Sequence, residues 1–279
     1  MAAKPRVLPL EHQRSHDYGH LIRRWRSVAR ARGLRLTPYA AASGYELFHI
    51  APRRPAPGRP WIYLSAGIHG DETGATEGLL DWAAATGLPF TDFNLLVFPC
   101  LNPWGLVNNS RVDADGRDLN RTYHDDAVPQ TAAHKAALAG WHTPDLDGRR
   151  PFALSLCLHE DYDANGVYIY EIQGARPYWA ERLLEASRRH LPADTRRSIE
   201  GRSARAGIVR RAIDLASMPL HPEAFTLHFH HAERTFTAET PSEAHLDARA
   251  AAHAAIIEQA VRLCLQEFPQ TSKRSTPPD

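Results

Sequence analysis

His69-Gly-Asp-Glu72 sets an imidazole and a carboxylate three residues apart, directly after the apolar run Trp61-Ile62-Tyr63-Leu64-Ser65-Ala66. A buried strand that ends there and turns would offer both side chains to one divalent metal. Leu156-Cys157-Leu158-His159 supplies a second histidine at the end of a second apolar run. Two histidines, one carboxylate and an open fourth position form the donor set of a catalytic zinc site. Ligands of open α/β sheets collect outside the carboxyl ends of strands. A third such end, Leu95-Leu96-Val97-Phe98-Pro99, leads into a polar segment that starts at Asn102. Convergence of three strand ends separates a metal site from a histidine that merely packs.

The elements that must hold these residues follow from hydrophobic period. Leu21, Ile22, Trp25 and Val28 sit at helical spacing in a helix ending near Arg32, and short strands are expected over Leu34 to Pro38 and Tyr45 to Ala51. Four prolines and a glycine from Pro52 to Pro60 mark a surface turn. Trp61 to Ala66 is a candidate central strand, Glu72 to Ala85 a helix on the sheet, and Phe93 to Pro99 a further strand. Asn102 to Tyr123 has no steady period and is the length of loop that is usually functional. Strands follow over Phe152 to Leu158 and Val167 to Ile172, and a helix over Arg176 to His190. The stretch from Arg196 to Arg211 is ambiguous. Phe225 to Phe229 and Arg234 to Glu239 read as late strands, and Ala244 to Phe268 as a long closing helix. The expected organisation is one catalytic domain over residues 1–268, with a frayed tail over 269–279. Strands interleaved with helices imply an α/β sandwich with a mixed sheet.

The polar segment contains Asn102-Pro103-Trp104-Gly105, then Arg111, then Asp118-Leu119-Asn120-Arg121. Together with the upstream His-x-x-Glu, the distant His159, and Glu239 in Thr237-Ala238-Glu239-Thr240-Pro241, this order resembles the zinc carboxypeptidase family from about Trp61 to Ser242. The resemblance implies a three-layer α/β/α fold around a mixed, mostly eight-stranded sheet, with one zinc ion per chain. It implies His69, Glu72 and His159 as metal ligands and Asp118 as the carboxylate behind a ligand histidine. Arg111 resembles the arginine facing the scissile carbonyl, Asn120 and Arg121 the pair that grips a terminal carboxylate, and Glu239 the general base acting through metal-activated water. The implied reaction is hydrolysis of an amide beside a free carboxylate in small peptides, cell-wall peptides among them. Arg117 competes with Arg111 for its role, and Glu233 and Glu243 compete with Glu239. Glu243 is expected in the first turn of the closing helix.

Digestive carboxypeptidases close a mobile tyrosine over the substrate, yet no tyrosine lies between Tyr178 and Glu239. The chain looks more like the compact bacterial branch that includes murein peptide amidases. A rival reading is an N-acyl amino acid deacylase like aspartoacylase or succinylglutamate desuccinylase, which share several of these motifs but usually append a β-rich domain. A silent binding module that keeps the fold is a third. Glu160 and Asp161 would either receive a cationic part of the substrate or form a solvated turn. His228 and His230, alternating on a strand, would share one face, where a second metal competes with simple packing.

Composition narrows the partners. The chain has 33 basic and 32 acidic residues, a formal net charge of +1, so no global field selects nucleic acid or an anionic membrane. The arginines from Arg196 to Arg211 lack interleaved aromatics for stacking on bases. Three cysteines, Cys100, Cys157 and Cys264, are too few and too scattered for a disulfide framework, and Cys157 reads as strand core. The first thirty residues lack an apolar signal core, and no stretch has the ~20 apolar residues that cross a bilayer. The expectation is a soluble cytoplasmic enzyme acting on a small peptide or N-acyl amino acid.

Overall fold

The two apolar runs that precede His69 and His159 become neighbouring parallel strands in the computed structural model, which describes residues 14–141 and 150–268. The expected tail lies outside the described residues. The chain opens with α1 (Tyr18–Ala31), β1 (Leu34–Ala42), β2 (Tyr45–Pro52), β3 (Trp61–Ser65), α2 (Thr73–Ala85) and β4 (Asn94–Phe98). It continues through α3 (Pro103–Asn108), α4 (Pro129–Ala139), β5 (Leu154–Asp161), β6 (Tyr168–Ile172) and α5 (Ala180–Ser187). A small hairpin of β7 (Ser198–Ile199) and β8 (Arg202–Ser203) precedes β9 (Ile208–Arg211). The last elements are α6 (Glu223–Thr226), β10 (Thr235–Pro241) and α7 (Leu246–Glu267).

One mixed sheet has eight strands in the order β1-β2-β4-β3-β5-β10-β6-β9, as the resemblance implies. Its centre, β4-β3-β5-β10, is parallel, and the flanking pairs β2/β4 and β10/β6 are antiparallel. Side chains alternate across the pleat, and this alternation assigns the two faces. Ile62, Leu64, Leu154, Leu156, Leu158, Phe236 and Ala238 join the core beneath α1, α2, α5 and α7. Trp61, Tyr63, Phe152 and Cys157 join the core on the other face, with Leu138 of α4 and Ala224 and Phe225 of α6. Residues 157 and 159 share one face and residues 158 and 160 the other.

That alternation corrects the turn reading of Glu160 and Asp161 and separates the two: Asp161 lines the cleft and accepts from Tyr168 Oη (3.0 Å). β5 runs through both, so neither lies in a turn. Glu160 points to the helical layer, 3% exposed, and accepts from Gly74 N (3.2 Å), Thr240 Oγ1 (3.1 Å) and Arg249 Nη1 (2.5 Å). Its carboxylate is spent on α2, β10 and α7 and has none left for a cationic substrate.

The segment Phe225–Phe229 is not a strand. It spans the end of α6 and a π-helical turn over Leu227–His231, with Ala232 N donating to Leu227 O. Its Phe/His alternation imitates period two, but the helix starts after Pro222, and Ala224, Leu227 and His231 are buried at helical spacing. His228 and His230 therefore do not share a strand face, and among the described residues no second His/acid donor group forms around them. Glu243 precedes α7 rather than sitting in its first turn, because that helix starts at Leu246 and carries Asp247 there. The ambiguous arginine stretch supplies β7, β8 and β9, and α4 was not anticipated. No helix among the described residues is long and apolar enough to cross a membrane.

The polar segment after β4 is more ordered than its composition suggests. Asn102 caps α3 by accepting from Gly105 N (2.9 Å), with Pro103 at the first helical position, where its missing N–H costs nothing. This short helix backs the His69 turn: Gly70 N donates to Ser110 O (2.9 Å), and a methyl group at Gly70 would land on the Gly105 carbonyl and Leu106 amide. Gly70→Ala should therefore cost about 1–3 kcal/mol of stability, the usual size of an overpacking penalty. A fall in the denaturation midpoint measures it; an unchanged midpoint would show that α3 does not brace the turn.

Candidate active site

The β3–α2 turn carries His69 and Glu72, and Glu72 occupies the position before α2 without capping it. Its carboxylate instead bridges two rings. Oε1 lies 2.6 Å from His69 Nδ1, and Oε2 lies 2.9 Å from His159 Nδ1. His69, Glu72 and His159 are 2%, 1% and 3% exposed. One donor atom from each falls within 4.8 Å of the others. On the far side of His69, Nε2 lies 3.0 Å from Asp118 Oδ1, which also accepts from Asn120 N.

The electrostatics follow from burial and pairing. Burial alone would push the His69 ring down, but the Glu72 charge and hydrogen bonds to Asp118 and Glu72 carry it up to about 9. Burial opposes ionisation of Glu72, yet His69 and His159 hold it well below the usual carboxylate range. Asp118 is likewise held low against burial, by its His69 hydrogen bond and the charges of His69 and Arg111. This donor set fits a divalent cation. Two imidazole nitrogens face one carboxylate, and the ring nitrogen turned away from them is backed by a second carboxylate, which fixes tautomer and orientation.

The other sequence candidates gather around the same cleft, which has a volume of about 870 Å³. Arg111 extends over it, with Nη2 3.1 Å from Asp118 Oδ2 and Nη1 3.6 Å from Glu72 Oε1. Its rival Arg117 is turned away and paired with Asp113 and Asp115. Asn120 Oδ1 accepts from Glu223 N (2.9 Å), which leaves its Nδ2 donor for the cleft. Arg121 donates to Asn120 O (2.9 Å) and forms no close ion pair among the described residues, though its charge helps hold Asp118 ionised. Glu239 stands opposite His159 on the adjoining parallel strand and opposite Tyr168 on β6. Burial, then the charges of Glu72, Glu200 and Asp161, push its carboxyl well up. Its rival Glu233 accepts from Arg150 N (3.0 Å) instead.

Sequence reading missed the wall built by β6, β9 and the segment before α6. Tyr170 donates to Glu200 Oε2 (2.5 Å), and Arg202, Arg211, Met218 and Phe225 line the same cleft. It also missed Glu223, which is buried behind the lining residues Pro222 and Ala224 and accepts from Tyr63 Oη (2.5 Å). The available signal was register: Tyr168 and Tyr170 alternate onto the Glu239 face.

Comparison with known proteins agrees with this geometry. Residues 59–139 match the family model of the succinylglutamate desuccinylase/aspartoacylase catalytic domain. No curated protein matches the chain by sequence. A provisionally named metallopeptidase from Shewanella denitrificans shares the fold with a TM-score of 0.75 at 20% identity, covering 90% of this chain and 91% of that one. A second, from Shewanella amazonensis, gives 0.76 at 22%, covering 89% and 94%. A metallo-carboxypeptidase from Pseudomonas aeruginosa, in complex with (2-guanidinoethylmercapto)succinic acid, gives 0.66 at 18%, covering 90% and 69%. The chain thus has the metallo-carboxypeptidase fold, and within it residues 59–139 are similar to the catalytic domain of the desuccinylase/aspartoacylase family.

A ring held up to about 9 has a definite pH signature. Because the folded value lies above the ordinary one, a charged His69 stabilises the metal-free chain fully below about pH 6.5 and loses that effect as pH rises through about 9. A cation must displace the same proton, so metal affinity should rise with pH across that window while metal-free stability falls. Chelator competition and thermal melts between pH 6 and 9.5 read both trends, and Asp118→Asn should weaken metal binding about 10- to 100-fold. Parallel trends in the two measurements would contradict the assignment.

Proposed function

We propose that the chain is a zinc-dependent hydrolase that cleaves an amide bond next to a free carboxylate in a small substrate, with a small peptide as the preferred class. Register carries this reading: Glu239 adjoins His159 on parallel strands, and Asn120 and Arg121 line the same cleft. A zinc ion held by His69, Glu72 and His159 would polarise a carbonyl and acidify a water.

The remaining chemistry belongs to the protein. Glu239, lifted by burial and acidic neighbours, suits a group that takes a proton from water and returns it to the departing nitrogen. Arg111 is aimed by its hydrogen bond to Asp118 and never loses its charge, so it can stabilise a developing oxyanion at any working pH. The Asn120 Nδ2 donor and the planar Arg121 guanidinium together suit a carboxylate, which accepts a bidentate grip. The Pseudomonas aeruginosa protein's succinic acid ligand, a compound with free carboxylates, supports this preference.

A second reading, N-acyl amino acid deacylation, is favoured by the match of residues 59–139 to the desuccinylase/aspartoacylase domain. Both readings use the same cut beside a carboxylate and differ in whether the acyl side of the amide is a peptide or a simple acyl group. Assay of short peptides beside N-acetyl and N-succinyl amino acids separates them, and hydrolysis of the acyl amino acids alone would replace the preferred reading with the second. For either, Glu239→Gln should lower kcat about 10²- to 10⁴-fold with bound metal unchanged by elemental analysis. Chelation should abolish turnover and zinc restore it; turnover that survives complete metal removal would end both readings.

A further inference from the structure

Glu72 sits where a helix normally finds its cap, and it caps nothing. It precedes Thr73, the first residue of α2, yet its carboxylate faces His69 and His159. A cap side chain ordinarily accepts from the second or third amide of its helix. Here the second, Gly74 N–H, donates to Glu160 Oε2 of β5 (3.2 Å). An acid from a neighbouring strand thus takes the place of the cap, at the helix end where negative charge is favoured. Its Oε1 accepts from Thr240 Oγ1 of β10 (3.1 Å), and Oε2 also accepts from Arg249 Nη1 of α7 (2.5 Å).

The sequence makes room for this arrangement. Gly74 and Gly78 lie one turn apart on α2. A methyl group at Gly74 would come within 2.2 Å of Glu160 Oε1 and 2.8 Å of Arg249 Cβ, and one at Gly78 within 2.5 Å of Ala250 O and 2.7 Å of His253 Cβ. The missing side chains let α7 lie close against α2, where Arg249 and His253 are again one turn apart. His253 Nε2 lies 3.1 Å from Thr240 Oγ1, and that hydroxyl, having given its proton to Glu160, is left as an acceptor for the ring. The Glu160 and Arg249 side chains are 0% and 12% exposed. Replacing such a buried ion pair by apolar groups of similar size is often neutral for stability, so stability alone does not account for charge here.

Register supplies the reason. His159 partners Glu239, and Glu160 partners Thr240, as consecutive pairs on parallel β5 and β10. Alternation turns the first pair to the cleft and the second to the helices. We propose that Glu160 is a positioning residue of the active site. It caps α2, so that Glu72 keeps its carboxylate for the cation, and it locks Thr240, so that Glu239 stays level with His159. The second task rests on the hydrolase reading above, while the first rests on the donor set alone. Arg249 supplies the charge that holds Glu160 in this pose, from the layer opposite the cleft.

Two variants separate these tasks from folding. Glu160→Gln with Arg249→Met removes both charges together and leaves no lone ion buried, but sets an amide NH₂ where one donor needs an oxygen. Chelator competition should find its zinc affinity about 10- to 100-fold weaker, the usual cost of losing a partner behind a ligand. Thr240→Val removes one hydroxyl and keeps the side chain's shape. It should lower kcat about tenfold on whichever short peptide or acyl amino acid the wild type cleaves, with KM and zinc affinity unchanged. Thr240→Ser, which restores the hydroxyl, should recover kcat. Lower thermal midpoints with zinc affinity, kcat and KM at wild-type values would show a structural ion pair only, which overturns the proposal and leaves the hydrolase reading intact. Should the double variant not fold, Thr240→Val decides, and an unchanged kcat overturns the proposal. Weakened zinc binding in the double variant, where the wild type cleaves none of those compounds, sustains the cap and overturns the reaction.

Discussion

A carboxylate that is 1% exposed governs the site. Taking Glu72 out of water costs several kcal/mol unless its charge is met, and His69 and His159 meet it at 2.6 and 2.9 Å. The two rings come from strands that are adjacent in space and 90 residues apart in sequence (159 − 69). The Glu72 charge thus ties the end of β3 to the end of β5. The tie extends through His69 to Asp118, and from Asp118 to Arg111 and the Asn120 amide, so the three donors, Arg111 and Asn120 form one hydrogen-bonded chain.

Sheet alternation then decides what each side chain can do. His159 and Glu239 are register partners on parallel strands, and their neighbours Leu158 and Ala238 lie in the core under the helices. A one-residue slip of β10 would bury Glu239 under α7 and turn Thr240 to the cleft. The same rule separates Glu160 from His159, and Arg210, paired with Glu171, from Arg211 at the cleft. Adjacent residues of like chemistry acquire different tasks because the pleat sends them to different layers.

These effects explain which parts were legible from sequence. His69 and Glu72 were readable as a candidate pair because a His and a Glu three residues apart follow a buried run; the α/β sandwich with a mixed sheet followed from strands interleaved with helices, and its eight strands only from the family resemblance. Phe225–Phe229 misled because aromatic and histidine residues alternate there as in a strand; Pro222 upstream was the better guide. Glu160 misled because charge was taken to end the strand, whereas Arg249, eighty-nine residues later, makes a buried acid tolerable. The Arg211 wall was invisible for a similar reason. Nothing local distinguishes it from Arg210, and only the sheet order β10-β6-β9 brings it to the face of Glu239.

The layer behind the cleft shows why the clamp and the metal donors hold a fixed separation. Glu223 opens α6, and burial pushes its carboxyl up. It accepts from Tyr63 Oη, which also lies 3.0 Å from His134 Nε2, and His134 Nδ1 lies 2.6 Å from Tyr123 Oη. A fully connected buried network is rigid, and loosening any member strands the others without solvent. Tyr63 belongs to β3, the strand that ends in the His69 turn, while the Glu223 N–H holds Asn120. One strand therefore leads into the turn that carries His69 and Glu72 and anchors, from its middle, the helix that holds the Asn120 amide. A substrate spanning the two would meet groups referenced to the same strand.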